Sequence, residues 1–136
     1  MPTPYLFLDG RAQEAIDFYQ RALGAKVEML MRFKESPEQQ HNPPGSGEKV
    51  MHSCLTIGNG PVMISDGNCA GRPSFQGFAL SYDAADEADA KRRFQALAEG
   101  GQVQMPLGET FFARSFGIVA DRFGVSWMVI AGAKNP

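Results

Sequence analysis

The sequence predicts an α+β fold: two βαβββ modules forming a curved, mixed eight-stranded sheet, with the helices on its outer face. Three features of the chain point to it. The stretch from Phe116 to Ala131, FGIVADRFGVSWMVIA, reads as strand, tight turn, strand, because apolar residues alternate up to Ala120 and resume after Gly124. A strand–helix–strand order occurs once near the start of the chain and again after residue 77. The two copies also match residue for residue at an offset of 76: Ala12 with Ala88, Phe18 with Phe94, Ala22 with Ala98, Gly24 with Gly100, Val27 with Val103 and Met29 with Met105. One such unit cannot cover both faces of its own sheet; two can enclose a concavity.

Each element has its own warrant. Tyr5–Leu8 is a short apolar strand that ends at Asp9-Gly10. Ala12, Ala15, Ile16, Tyr19, Ala22 and Leu23 recur at three and four, the stripe of an amphipathic helix, and Gly24 stops it. Val27–Phe33 is a second strand. Residues 34–48, KESPEQQHNPPGSGE, are polar and rich in Pro and Gly, so they form a long surface loop. Lys49–Ile57 and Pro61–Asp66 are strands joined by the hairpin turn Gly58-Asn59-Gly60. The second copy follows: Phe78–Tyr82 as strand, a helix from about Asp86 to Glu99, and Val103–Met105 opening a strand that Pro106-Leu107-Gly108 breaks. The acidic residues Asp86, Glu87 and Asp89 precede Lys91, Arg92 and Arg93, the order a helix dipole favours. The expected organisation is one domain over 1–136: a first module at about 1–66, a linker at 67–76, and a second module at about 77–136.

Composition narrows the function. With 136 residues, 43% hydrophobic and 21% charged, the chain suits one domain with a real core. The net charge of −2 and the lack of a basic stripe argue against nucleic acid or an anionic membrane as partner. No apolar run reaches a membrane span, and the N-terminus lacks the order of a signal peptide, so a cytoplasmic setting is expected. Cys54 and Cys69 have no metal-type spacing, and Cys54 reads as a free thiol in a reducing compartment.

Two stretches, residues 15–24 and 77–83, resemble the vicinal oxygen chelate superfamily of glyoxalases, extradiol dioxygenases and bleomycin-resistance proteins. Ala15-Ile16-Asp17-Phe18-Tyr19 with Leu23-Gly24 is similar to the "SIDFY…LG" of glyoxalases, and Gly77–Asp83 to the strand that opens their second module. Met63–Asp66, Gly108–Phe111, Phe116-Gly117 and Asp121–Met128 resemble the PhnB-like branch more narrowly. A methyltransferase label is common in that branch. The sequence gives it no support, having no Gly-rich strand-to-helix loop for a methyl donor's nucleotide.

The resemblance implies a divalent metal held by three or four side chains from four strands. Carried onto this chain, the ligand positions fall near Pro4, near Ile64 (or Ser65 with a one-residue slip), on Gly77 and on Met128. None offers a good donor, so no metal and no cofactor is expected. A concavity lined by Leu6, Ile64, Ala79 and Met128 suits an apolar or aromatic guest. The candidate ligand-binding residues are therefore Leu6, His52, Ile64, Ser65, Ala79, Glu109, Phe111 and Met128. His52 and Glu109 are the catalytic candidates if the protein is an enzyme.

Each has a plainer reading. A strand histidine such as His52 is commonly a hydrogen-bonded core residue, Glu109 a loop carboxylate paired with Arg114 or a backbone amide, and Asp66 a turn cap. His41 is read as an exposed loop residue. Trp127, Met63, Phe78, Phe111 and Phe116 are most simply core, with one or two lining the cavity. The leading expectation is a metal-free small-molecule binding protein; the resemblance implies a homodimer, with or without exchange of modules between chains, and the long loop as an arm over the partner or over the cavity mouth. The alternative is a lyase, isomerase or dioxygenase-type enzyme with relocated ligands or a His52/Glu109 acid–base pair. A third class is an interaction protein whose concavity a partner closes.

Overall fold

The computed structural model describes residues 2–67 and 73–134; Cys69 and part of the expected linker lie outside the described residues. The chain divides into two compact units, Met1–Pro73 and Ser74–Pro136. The first contains β1 (Tyr5–Phe7), α1 (Ala12–Leu23), β2 (Lys26–Arg32), β3 (Val50–Ile57) and β4 (Gly60–Ser65). The second contains β5 (Leu80–Asp83), α2 (Glu87–Ala98), β6 (Gln102–Gly108), β7 (Ala113–Ala120) and β8 (Ser126–Ala133). The eight expected strands are present as two four-stranded mixed sheets, ordered β1-β4-β3-β2 and β5-β8-β7-β6. In each, the first strand runs parallel to the last and the other pairs are antiparallel. The fold class is α+β, built from two βαβββ modules of one topology.

In the first module α1 buries Ala12, Ala15, Ile16, Phe18, Tyr19, Ala22 and Leu23. Gly24 caps it at φ 64, the left-handed conformation that a side chain disfavours. The helix has no side-chain cap from Arg11. That service comes from the residue after β4, which runs parallel to β1 and ends beside it: Asp66, 1% exposed, accepts from the amides of Gly10 (2.7 Å) and Ala12 (2.8 Å) through Oδ1 and from Val50 (2.9 Å) through Oδ2. The long loop holds two single-turn 3-10 helices, Phe33–Glu35 and Gln39–His41. Buried Phe33 and the side-chain amides of Gln39 and Asn42, which donate to its carbonyl, anchor that loop.

In the second module the expected break at Pro106 does not occur. β6 continues through it to Gly108, with register shifts between Val103 and Met105 and between Met105 and Gly108. An edge strand tolerates proline because one row of its amides has no ladder partner to lose. Two glycines permit close approaches: a Cβ at Gly101 would lie 2.1 Å from the carbonyl oxygen of Ala120, and one at Gly117 would lie 2.7 Å from the Phe94 ring. Contact with Phe94 fixes the face of β7 turned toward α2.

Asp86 caps α2 by accepting from the Asp89 amide at 2.7 Å, and Asp89 reaches back to accept from the Ala85 amide at 3.0 Å. That amide, opposed by burial and assisted by Arg92 and Arg93, holds the Asp89 carboxyl below its ordinary pKa. A depressed carboxyl contributes stability above the unfolded pKa of about 3.9, and loses it as pH falls through the lower folded value. Asp89→Asn is therefore expected to be less stable than wild type in urea melts at neutral pH, the gap closing as pH falls below about 4.

Candidate functional site

Strand alternation sorts the residues of the first sheet. Leu6, Ser53, Leu55, Val62 and Ile64 are buried. Tyr5, Phe7, Cys54, Thr56 and Met63 lie on the face turned away from α1, and the pairings Tyr5↔Met63 and Phe7↔Ser65 keep that face in register. His52 joins it through its ring contacts. Tyr5 stacks on Phe7 at 5.0 Å and on the His52 ring at 5.6 Å, and its hydroxyl is hydrogen-bonded to His52 Nδ1 at 2.8 Å. Burial pushes the Tyr5 phenol above its usual pKa, against a smaller opposing effect from Ser65, so it stays neutral and able to donate. Phe7 leaves 52% of its surface exposed. The result is a strip of three rings with one internal polar contact.

Leu6 and Ile64, expected at the cavity wall, are 2% and 0% exposed and pair with each other in the module core. The parity of β1 and β4 turns them from the face that carries Tyr5, Phe7 and Met63. Ser65 is satisfied by backbone: its hydroxyl donates to the Met51 carbonyl at 2.7 Å and accepts from the Gly67 amide at 2.9 Å.

In the second sheet, Gly117 faces α2, so Phe116 and Ile118 face away, as do their partners Ile130 and Met128. Met128, a predicted site residue, is half-buried on that face. Phe112 meets Phe116 edge-on at 4.9 Å and Phe111 at 5.2 Å. Phe111 is 83% exposed at the β6–β7 connection and Phe78 is 48% exposed just before β5, so neither is core. Trp127 and Phe116 are buried as expected. Ala79, also just before β5, is half-buried.

Glu109 follows β6 and forms an ion pair with Lys134, which also donates to the Thr110 carbonyl at 3.0 Å. The Lys134 ammonium draws the Glu109 carboxyl below its ordinary pKa, with a smaller contribution from Arg114. An ionised, exposed carboxylate of that kind is a weak general base. His52 and Glu109 are thus each engaged within their own module. His41 is exposed, 3.7 Å from Glu38.

The donor set does not fit the divalent metal that the resemblance implies. At the four carried-over positions, the Pro4 carbonyl accepts from the Met63 amide, Ile64 is in the core, Gly77 has no side chain, and Met128 offers only a thioether. Among the described residues no three His, Cys, Asp or Glu side chains gather as metal ligands. A cleft of about 310 Å³ does open beside the start of α1; of the candidates only Asp66 lines it, with its carboxylate taken up by backbone amides, and none of the expected ligand-binding residues does. Its cations are already engaged: Arg32 donates to Gln13 and to the Glu48 carbonyl, and Lys49 to the Gly10 carbonyl.

Tyr5 and Phe7 are candidate site residues that were not legible in the sequence. Their signal was the one-residue parity of a strand only three residues long, which nothing local fixes.

Comparison with known proteins bears on the family and the fold. The family model described as 3-demethylubiquinone-9 3-methyltransferase matches residues 2–130. A solved structure of a Pseudomonas aeruginosa protein is 40% identical with a TM-score of 0.84, covering 98% of each chain. A Bacillus cereus protein described as a putative 3-demethylubiquinone-9 3-methyltransferase, PhnB protein, is 26% identical with a TM-score of 0.79, covering 96% of this chain and 98% of that one. A glyoxalase/bleomycin resistance protein/dioxygenase domain from a Frankia species shares the fold, at 15% identity and a TM-score of 0.67, covering 100% and 93%. Here β1 runs into α1 through Leu8-Asp9-Gly10-Arg11, a connection unlike a nucleotide-binding loop. The chain belongs to the family described as 3-demethylubiquinone-9 3-methyltransferase, the PhnB-like branch of the glyoxalase/bleomycin resistance/dioxygenase fold.

Proposed function

We propose that the protein binds a small apolar or aromatic molecule against the sheet faces turned away from its helices, without the divalent metal its relatives' fold is known for. The observation that carries this reading is the Tyr5–Phe7–His52 ring strip, part-exposed on the face of a four-stranded sheet. Met128, Phe116 and Ile118 offer a second apolar surface. Such faces bind by removing apolar area from water, about 2.5 kcal/mol for each 100 Å². Of the residues expected to touch the guest, His52 and Met128 are retained, with Tyr5, Phe7 and Met63 in place of Leu6 and Ile64. The enzyme alternative has less support, because Glu109 is committed to Lys134.

Fragment titration of Met-methyl-labelled protein tests the reading. With 2-naphthol as probe, the Met63 or Met128 methyl resonances are expected to shift, and Phe7→Ala to weaken the response. Unmoved methyls on both faces, or a response indifferent to Phe7, would count against it.

The free Cys54 thiol supports a cytoplasmic setting, and the net charge of −2 lends no electrostatic support to a nucleic-acid partner. Among the described residues no helix is long and apolar enough to cross a membrane. A homodimer remains part of the proposal: edge strand β6 exposes two large apolar side chains, Val103 and Met105, where an edge is normally covered or charged. Light scattering at micromolar concentration is expected to give twice the 14.8 kDa chain mass; the single-chain mass would remove the dimer.

A further inference from the structure

We infer that the first sheet carries a binding site for a soft monovalent metal ion, Cu(I) or Ag(I), formed by Cys54, Met29 and Met63. Three sulfur side chains stand in one row across three adjacent strands. Cys54 on central β3 is a free thiol. Its register partner on one side is Met29 of β2, where pairing resumes after a bulge at Glu28, and on the other Met63 of β4. Directly opposed residues point to the same side of a sheet with Cβ atoms about 4.5–5.5 Å apart. Methionine's three torsions then let both thioethers turn toward an ion on the central sulfur. The neighbouring pair Met31↔His52 adds a further thioether and an imidazole within the same sheet.

The chemistry selects the ion. Thiolate and thioether donors prefer Cu(I) over hard divalent ions. Charge selects in the same direction. One thiolate neutralises a monovalent ion, so the complex adds no net charge to an apolar face. A divalent ion would leave an uncompensated charge there. Binding replaces the Cys54 S–H bond by an S–Cu bond and releases the proton to solvent, with no change in oxidation state. Met29 is 42% exposed, so the row is reachable from water.

The site is distinct from the divalent one that the fold family implies; it shares Met63 with the proposed guest surface, and its tests use the metal ion alone, with no aromatic guest present. Two experiments test it. In the first, Ag(I) is added to wild-type protein labelled at methionine methyls. The Met29 and Met63 resonances are expected to shift at one equivalent while Met105, in the second module, stays in place. In the second, Cu(I) affinity is measured under reductant by competition with bicinchoninate, in a Cys69→Ser background that removes the other thiol. Binding is expected at one ion per chain and to be lost in Cys54→Ser. Met29→Leu and Met63→Leu, near-isosteric changes, should each weaken it by at least about tenfold, the scale on which even outer partners of a metal act. Met105→Leu should leave it unchanged. Failure to bind one equivalent overturns the inference. So does binding that depends on Cys54 but ignores both methionines, the behaviour of a bare thiol.

Discussion

Asp66→Ala is expected to destabilise the protein by about 3 kcal/mol or more, because each buried donor left without an acceptor costs about 1–3 kcal/mol. One carboxylate, 1% exposed, takes three backbone amides from three places: the approach to α1, its first turn, and the start of β3. The same residue's amide donates to the Val50 carbonyl at 2.8 Å. Alanine keeps that last bond and removes the rest, leaving the helix start uncapped, since Arg11 supplies no side-chain cap. Asn should recover part of the loss, because its carbonyl oxygen replaces one acceptor while its amide group opposes a donor. Urea melts by circular dichroism read the ordering wild type, then Asn, then Ala. Equal stability of Ala and wild type would mean that solvent satisfies those amides.

Asp121→Ala is expected to cost a similar amount, about 3 kcal/mol, for a related reason in the second module. Asp121 is 3% exposed. Its Oδ1 accepts from the Phe123 amide at 2.9 Å and the Val125 amide at 3.1 Å, which sets the β7–β8 turn. Its Oδ2 accepts from the indole Nε1 of Trp127 at 2.9 Å. Trp127 is the chain's one tryptophan and is 2% exposed, so its fluorescence reports on this place alone. The variant should melt earlier in urea and show altered Trp127 emission while still folded. Unchanged emission with lowered stability would assign the loss to the turn rather than the indole.

These two carboxylates show where the sequence was legible. The turn at Asp121–Gly124 was readable because its donors lie within four residues of the acceptor. The bond to Trp127 was not, because it depends on β8 folding back to place an indole beside the turn. Asp66 was readable as a cap at a strand end. Its partners Gly10 and Ala12 are more than fifty residues away, and only tertiary structure brings them there. Module order and both helices followed from period and punctuation, and the repeat at an offset of 76 is matched by identical strand order in the two sheets. Pro106 misled as a breaker because edge position, which decides whether a strand tolerates proline, is a property of the sheet. The site suffered from parity: a slip of one residue exchanges Leu6 for Tyr5 and Phe7, and so exchanges core for surface.

The central claim is that these sheet faces hold an apolar or aromatic guest with no divalent ion taking part. Titration calorimetry of 2-naphthol into the protein in excess EDTA, repeated at several temperatures, tests it most directly. Saturable binding with a negative heat-capacity change, the mark of buried apolar surface, is the predicted result. Binding that appears only when a divalent metal replaces the chelator would contradict it.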